Sequence, residues 1–286
     1  NNMRTIKIAT ALFALTVAGP ACGKDAKKDD AKVAAKDKAG AKDKAGAKDE
    51  DKDKADAAKA DAAKADAAKD KKPEPGVAPE PPKFAVAVRQ EVEDFAKWKA
   101  AFDGHEQARK DGGALAHSIS QDPENPNIVY VWLPGNDDKK LREFGASEGL
   151  KTAMKDAGVK GEPRILYVEN IELEADESVK PGEPLDGAFV VHKVADFDKW
   201  KAVYDTHADK RKAAGILVSA VSRGLDDDKE VSVWAAGKDL ESIKAFMTSD
   251  DLKAAMKESG VEGEPEVFFL KHTEEKQYTA PAVAQK

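Results

Sequence analysis

"DFAKWKAAFDGHEQARKDGG", Asp94 to Gly113, returns as "DFDKWKAVYDTHADKRKAAG", Asp196 to Gly215. The copies stand 102 residues apart, and that spacing pairs Trp98 with Trp200, His105 with His207 and Arg109 with Arg211. Carried outward without a gap, it also pairs Trp132 with Trp234, Phe144 with Phe246, Met154 with Met256 and Gly158 with Gly260. The "GEP" at Gly161 meets the "GEP" at Gly263 in the same way. A fixed period with no insertion marks a tandem duplication, here of a module of roughly 90 residues, a plausible single-domain length.

Within each copy the hydrophobic period changes along the chain. Phe84, Val86 and Val88 alternate, which predicts a strand. Asp94 predicts an N-cap, after which Phe95, Trp98, Phe102, His105 and Arg109 recur at helical spacing as far as Gly112-Gly113. "ALAHSISQ" and "NIVYVWL" predict two strands joined through "DPENP". Leu141, Phe144, Leu150 and Met154 mark a second helix, broken near Gly145, and "PRILYVEN" predicts the last strand. The second copy repeats the plan and ends in "PEVFFLKH". The order β-α-β-β-α-β is that of a ferredoxin-like split unit.

The first strand of the second copy is apolar on both sides, with Ala188 and Val190 on one and Phe189 and Val191 on the other. Each face of such a sheet needs a cover. Helices cover one, and the simplest cover for the other is the sheet of the sister copy. The expected modules are residues 83–174 and 186–274, followed by a tail over 275–286, with the whole folding as a monomer that contains its own pseudo-dimer.

The "DFxKWKxxxDxH…RKxxG" helix, the strand ending in Trp, and the closing "MKxxGVxGEP" before an aromatic strand resemble the dimeric α+β barrel superfamily, above all its small members similar to antibiotic-biosynthesis monooxygenases. The resemblance covers most of 84–170 and 188–272. It implies an α+β fold in which two ferredoxin-like modules form an intramolecular dimeric α+β barrel. It leaves function open, because the superfamily holds cofactor-free oxygenases, haem-degrading enzymes, polyketide cyclases and proteins with no activity assigned.

Ahead of the repeat the chain is of another kind. "MRTIKIATALFALTVAGPAC" sets Arg4 and Lys7 before a short apolar run, Ile8 to Ala18, and then small residues before Cys22. That run is shorter than the roughly 20 residues a bilayer span needs and predicts a signal peptide over 1–22. The Ala-Cys ending resembles a bacterial lipoprotein leader, although Gly19 stands where the usual motif has Leu. The resemblance implies acylation of Cys22, the only cysteine. Gly23 in place of the Asp common in inner-membrane lipoproteins favours the outer membrane over the inner. An ordinary secretory leader with an incidental Cys22 is the alternative. Residues 23–82 form a linker whose Lys24–Lys72 stretch is almost only Lys, Ala, Asp and Gly, followed by "KKPEPGVAPEPPK". It cannot bury enough apolar surface to offset the entropy of ordering.

The chain carries −7 overall. The leader contributes +2 and the Lys/Asp stretch +3, which leaves −12 for residues 73–286. An acidic folded part argues against nucleic acid as a partner. No Cys/His cluster, glycine-rich phosphate loop or His-x-x-x-His pair is present, so neither a metal nor a cofactor is expected.

Candidate chemistry gathers in a cleft between helices and sheet, with Trp98, His105, Trp132 and Gln90 in the first copy and Trp200, His207, Trp234 and His192 in the second. Seven residues separate each helical Trp from its His, close to two turns, which predicts a shared face toward the sheet. There the histidines are expected to be buried, neutral and structural. The competing reading makes them general bases or proton donors. Trp132 and Trp234 are expected to serve packing first and the lining of a flat ligand second. His192 stands opposite Gln90 in the repeat, and His117 opposite Ser219, an asymmetry that suits either one live pocket or drift. Arg109 and Arg211 read as solvated ends of their helices. The leading expectation is a non-enzymatic envelope protein that binds a small apolar ligand or a protein partner. The rival is a cofactor-free monooxygenase or related small enzyme that uses the helix–sheet cleft.

Overall fold

The computed structural model describes residues 3–7, 81–180 and 182–278, so Cys22, the apolar run of the leader and the linker lie outside the described residues. The first module runs β2 (Phe84–Val92), α1 (Phe95–Gly104), α2 (Glu106–Asp111), β3 (Ala116–Gln121), β4 (Ile128–Gly135), α3 (Asp138–Ala146), α4 (Glu148–Asp156) and β5 (Val159–Asp176). The second repeats it as β6 (Asp186–Val194), α5 (Phe197–Thr206), α6 (Ala208–Ala213), β7 (Ile216–Gly224), β8 (Glu230–Gly237), α7 (Leu240–Met247), α8 (Asp250–Ser259) and β9 (Val261–Gln277). Met3–Lys7, expected at the start of the leader, forms β1 antiparallel to β5, Met3 facing Asp176 and Lys7 facing Glu172. No helix among the described residues is long and apolar enough to cross a membrane.

The two modules close into one barrel, and the long last strands do the closing. β5 pairs with β2 as far as Glu169, shifts register after Asn170, and continues along β7 of the other module. β9 pairs first with β6 and then crosses to β3. The ring runs β5-β2-β4-β3-β9-β6-β8-β7 and returns to β5, every neighbour antiparallel. The expected cover of sheet by sheet therefore takes the form of hydrogen-bonded closure, which removes the open edges a separate sheet would present. Both strands run past the expected module ends, to Asp176 and Gln277.

The helices start where the sequence places caps. Asp94 and Asp196 accept the backbone N–H of Lys97 and Lys199, and Ser147 and Ser249 accept those of Leu150 and Leu252. Gly260 closes α8 at φ 85°, a left-handed conformation suited to glycine. One helix departs from expectation. The stretch predicted as continuous from Asp94 to Gly112 breaks at His105, whose N–H bonds back three residues to Phe102, and its counterpart breaks at His207. Past the break Arg109 and Arg211 are buried, whereas His105 is exposed and His207 half-buried.

Each set of helices packs on its own sheet through matched residues. Val92, Trp98, Ile119, Val129 and Leu141 are buried in the first module, and their partners Val194, Trp200, Val221, Val231 and Ile243 in the second. A third cluster, Ala85, Leu166, Val168 and Val191, lies between the two sheets.

Candidate functional site

On the helix-facing side, Trp98 and Trp200 are both 3% exposed and form aromatic ladders, Trp98 with Phe95 and Phe102, Trp200 with Phe197 and Tyr204. Gln90 and His192 point to the same side and are buried. The His192 ring lies 5.3 Å from Trp200, and neither of its nitrogens has a hydrogen-bond partner among the described residues. Burial lowers its pKa from 6.5 to about 4, so the ring is neutral at ordinary pH. Beside it, among Trp200, Met247 and Met256, is a space of only about 70 Å³.

His105 falls outside this face, contrary to the expectation of burial, and His207 is half-buried where it borders that small space. Each sits at the helix break with Nδ1 hydrogen-bonded to the carbonyl four residues back, Ala101 or Val203, and His105 is exposed. The buried imidazole of the first module is His117 instead. Arg109 Nε donates to the Tyr278 hydroxyl at 2.6 Å, which lies 2.8 Å from His117 Nδ1, and His117 Nε2 lies 2.7 Å from Glu274. The arrangement suits one tautomer, with the phenol donating to Nδ1 and Nε2–H to the carboxylate. Burial depresses the His117 pKa, against the pull of Glu274.

Arg109 and Arg211 are likewise not solvated. They are 3% and 4% exposed, stack on Phe102 and Tyr204 at 3.5 and 3.8 Å, and donate to those residues' carbonyls. The strand arriving from the other module completes each of them, through Tyr278 for Arg109 and Glu174 for Arg211. These clusters are seams between modules.

Trp132 and Trp234 also leave the expected cleft. They lie on the opposite face of the sheets and line the barrel lumen, where a cavity of about 330 Å³ opens. The alternation along β4 accounts for this: Val129, Val131 and Leu133 face the helices, so Tyr130 and Trp132 face inward. Across the lumen Trp132 meets Phe189 edge-on at 6.3 Å. Trp234 packs against Gly187, where a Cβ would come within 2.7 Å of its ring and 2.5 Å of the Ala235 carbonyl.

The lumen is not symmetric. Tyr130 and Ser232 are repeat partners, as are Arg89 and Val191, and Ala87 and Phe189. On one side Arg89 Nε donates to the Tyr130 hydroxyl at 2.8 Å, with the guanidinium 5.5 Å from the Phe268 ring. On the other, Ser232 is 2% exposed and its hydroxyl has no hydrogen-bond partner among the described residues. Burial pushes the Tyr130 phenol up to about 12, so it stays neutral. Ser222 and Asn170 bond each other at 3.0 Å where β7 meets β5.

Apolar walls, two indoles and a few fixed polar groups suit retention and orientation of a small organic molecule. Among the described residues no three His, Cys, Asp or Glu side chains group so as to hold a metal ion. Arg89, Tyr130 and Ser232 were not among the residues singled out from the sequence. The signal that finds them is departure from the repeat, a tyrosine against a serine and an arginine against a valine.

By sequence the chain matches no family profile and no curated relative. By fold it is similar to an anthrone oxidase-like protein at 13% identity and TM-score 0.52, over 71% of this chain and 97% of the other. A monooxygenase candidate from Fusobacterium nucleatum aligns at 11% identity and TM-score 0.48, over 69% and 95%. A heme-binding protein from Thermus thermophilus aligns at 16% and 0.43, over 68% and 92%. At these identities the likeness is one of fold: the chain is a dimeric α+β barrel built from two ferredoxin-like modules in tandem.

Proposed function

We propose that the protein is a lipid-anchored binding module of the bacterial cell envelope, working as a monomer and holding a small, flat, largely apolar molecule in its barrel lumen. The observation that carries the binding part is the cavity of about 330 Å³, flanked by Trp132 and Trp234, with the buried Ser232 hydroxyl left without a partner among the described residues. That volume lies at the lower end of the range in which small-molecule sites fall, roughly 300–1,000 Å³. The envelope part rests on the leader, on Cys22 as the sole cysteine, and on the hydrophilic linker that follows it. Outer-membrane placement rests on Gly23.

The rival reading, an oxygenase in the helix–sheet cleft, needs room beside His192. About 70 Å³ is the share of roughly two water molecules at ~30 Å³ each, too little for an organic substrate. The lumen is the better host.

Two experiments test the proposal. Native mass spectrometry of the full chain from a Gram-negative host should show an added mass of a small molecule that denaturation releases. Protein at its bare mass after exposure to envelope extract, with lumen tryptophan fluorescence unmoved, defeats the binding reading. Fractionation should place the wild-type chain in the membrane and a Cys22→Ala variant in the soluble fraction; equal partitioning defeats the anchor.

A further inference from the structure

The lumen contains an arginine whose charge the protein does not neutralise locally. Two arginines line it, and their treatment differs. Arg164 is held by two carboxylates, Glu266 at 2.6 Å and Glu230 at 3.3 Å. Arg89, its neighbour across the β2–β5 ladder, has no carboxylate within ion-pair distance among the described residues. Among the described residues its side chain makes one hydrogen bond, from Nε to the Tyr130 phenol, which burial keeps neutral and which supplies no counter-charge. Its ring contacts, Tyr130 at 5.8 Å and Phe268 at 5.5 Å, hold the guanidinium without compensating it.

A half-buried charge is costly unless something pairs with it. The repeat shows that the barrel itself does not need this one: the equivalent place in the second module is Val191, packed in the cluster between the sheets. With Nε committed to Tyr130, the terminal nitrogens remain for a planar two-oxygen acceptor, the geometry guanidinium matches best. Away from this charge the lining is mostly aromatic and aliphatic, interrupted by Ser118, Ser120, Ser222 and the buried Ser232, and by the carboxylates Glu172 and Glu275.

The geometry points to a ligand that is an amphipathic organic monoanion, an aromatic or medium-chain carboxylic acid, with its carboxylate on Arg89 and its apolar body between Trp132 and Trp234. This rests on the lumen being the binding site and adds the charge of the ligand and the residue that reads it.

The test uses a matched pair of probes, 2-naphthoate and neutral 2-naphthalenemethanol, titrated into the full chain with tryptophan fluorescence and calorimetry as readouts. The acid is expected to bind at least about tenfold more tightly than the alcohol. Arg89→Gln, which keeps a donor near Tyr130, should erase that preference by weakening the acid about tenfold and leaving the alcohol within about twofold. An Arg89→Lys variant, which keeps the charge without the fork, should retain part of the preference and guards against misreading a folding defect. Equal binding of acid and alcohol by the wild type, or an acid preference that survives Arg89→Gln, overturns the assignment while leaving the lumen as a site for neutral molecules. If neither probe binds, the lumen reading fails, and this inference with it.

Discussion

The two modules agree on one face of their sheets and disagree on the other. Toward the helices most positions carry the same or a similar residue in the same role. Trp98 and Trp200 fill the core, Arg109 and Arg211 stack on the aromatic seven residues before them, and Lys99–Glu274 is answered by Lys201–Glu172 at 2.9 Å in both. Toward the lumen the repeat gives way to Arg89 against Val191, Tyr130 against Ser232 and Ala87 against Phe189. Packing helices on a sheet makes the same demand twice, and close packing tolerates little departure from it. A lumen with room to spare makes no such demand, so its two halves are free to differ and together enclose one asymmetric cavity.

The largest expected effect breaks the pairing outright. Separate halves, 81–180 and 182–278, expose the edges of β3 and β7 and the apolar face of each sheet. Light scattering should find them dimeric or aggregated, while the intact chain stays monomeric. Two well-behaved monomeric halves contradict closure as the reason for the duplication.

Agreement on the helix side predicts equal injury. Trp98→Ala and Trp200→Ala should each cost about 3–5 kcal/mol in chemical denaturation, and by similar amounts. A module that tolerates the loss of its Trp is not packed as its sister is.

The helix side disagrees too at His117 against Ser219 and at Gln90 against His192, and the second of these predicts a pH effect. The His192 ring protonates near 6.5 when unfolded and about 4 when folded, so between those values the unfolded chain binds the extra proton. Stability should therefore be complete above 6.5 and fall as pH drops toward 4, by on the order of 3 kcal/mol for this residue. His192→Gln, which copies the first module, should flatten that part of the profile. An unchanged profile means His192 does not contribute the slope.

The smallest effect distinguishes the seams. Lys201 and Glu172 are 17% and 8% exposed, Lys99 and Glu274 20% and 34%. Double-mutant cycles should give a larger coupling energy for the Lys201–Glu172 pair, with the Lys99–Glu274 pair within about 1 kcal/mol of zero.

The repeat made most of the fold legible. Its fixed register gives two modules, its alternations give the strands, and the two-sided strand at Ala188–Val191 calls for a second sheet. The crossing of β5 and β9 was not legible: "IELEAD" alternates as a strand does but its pattern names no partner strand, and "HTEEKQ" carries no apolar alternation at all. Their glutamates face lysine and arginine of the other module, as Glu172 does Lys201 and Glu174 does Arg211. The histidines misled because spacing of seven predicts one face only while the helix is unbroken. Trp132 and Trp234 misled in another way. They were assigned to the one cleft under consideration, although their odd step from Val131 and Val233 already sets them on the other face.

The central claim is that the lumen's asymmetry makes it a site, and Ser232→Tyr tests it most directly by giving the second module the residue of the first. Calorimetric titration of 2-naphthoate into the variant should show binding lost, with the fold intact by circular dichroism and melting temperature unchanged or raised as the tyrosine fills the cavity. Undiminished binding in a folded Ser232→Tyr protein would contradict the account.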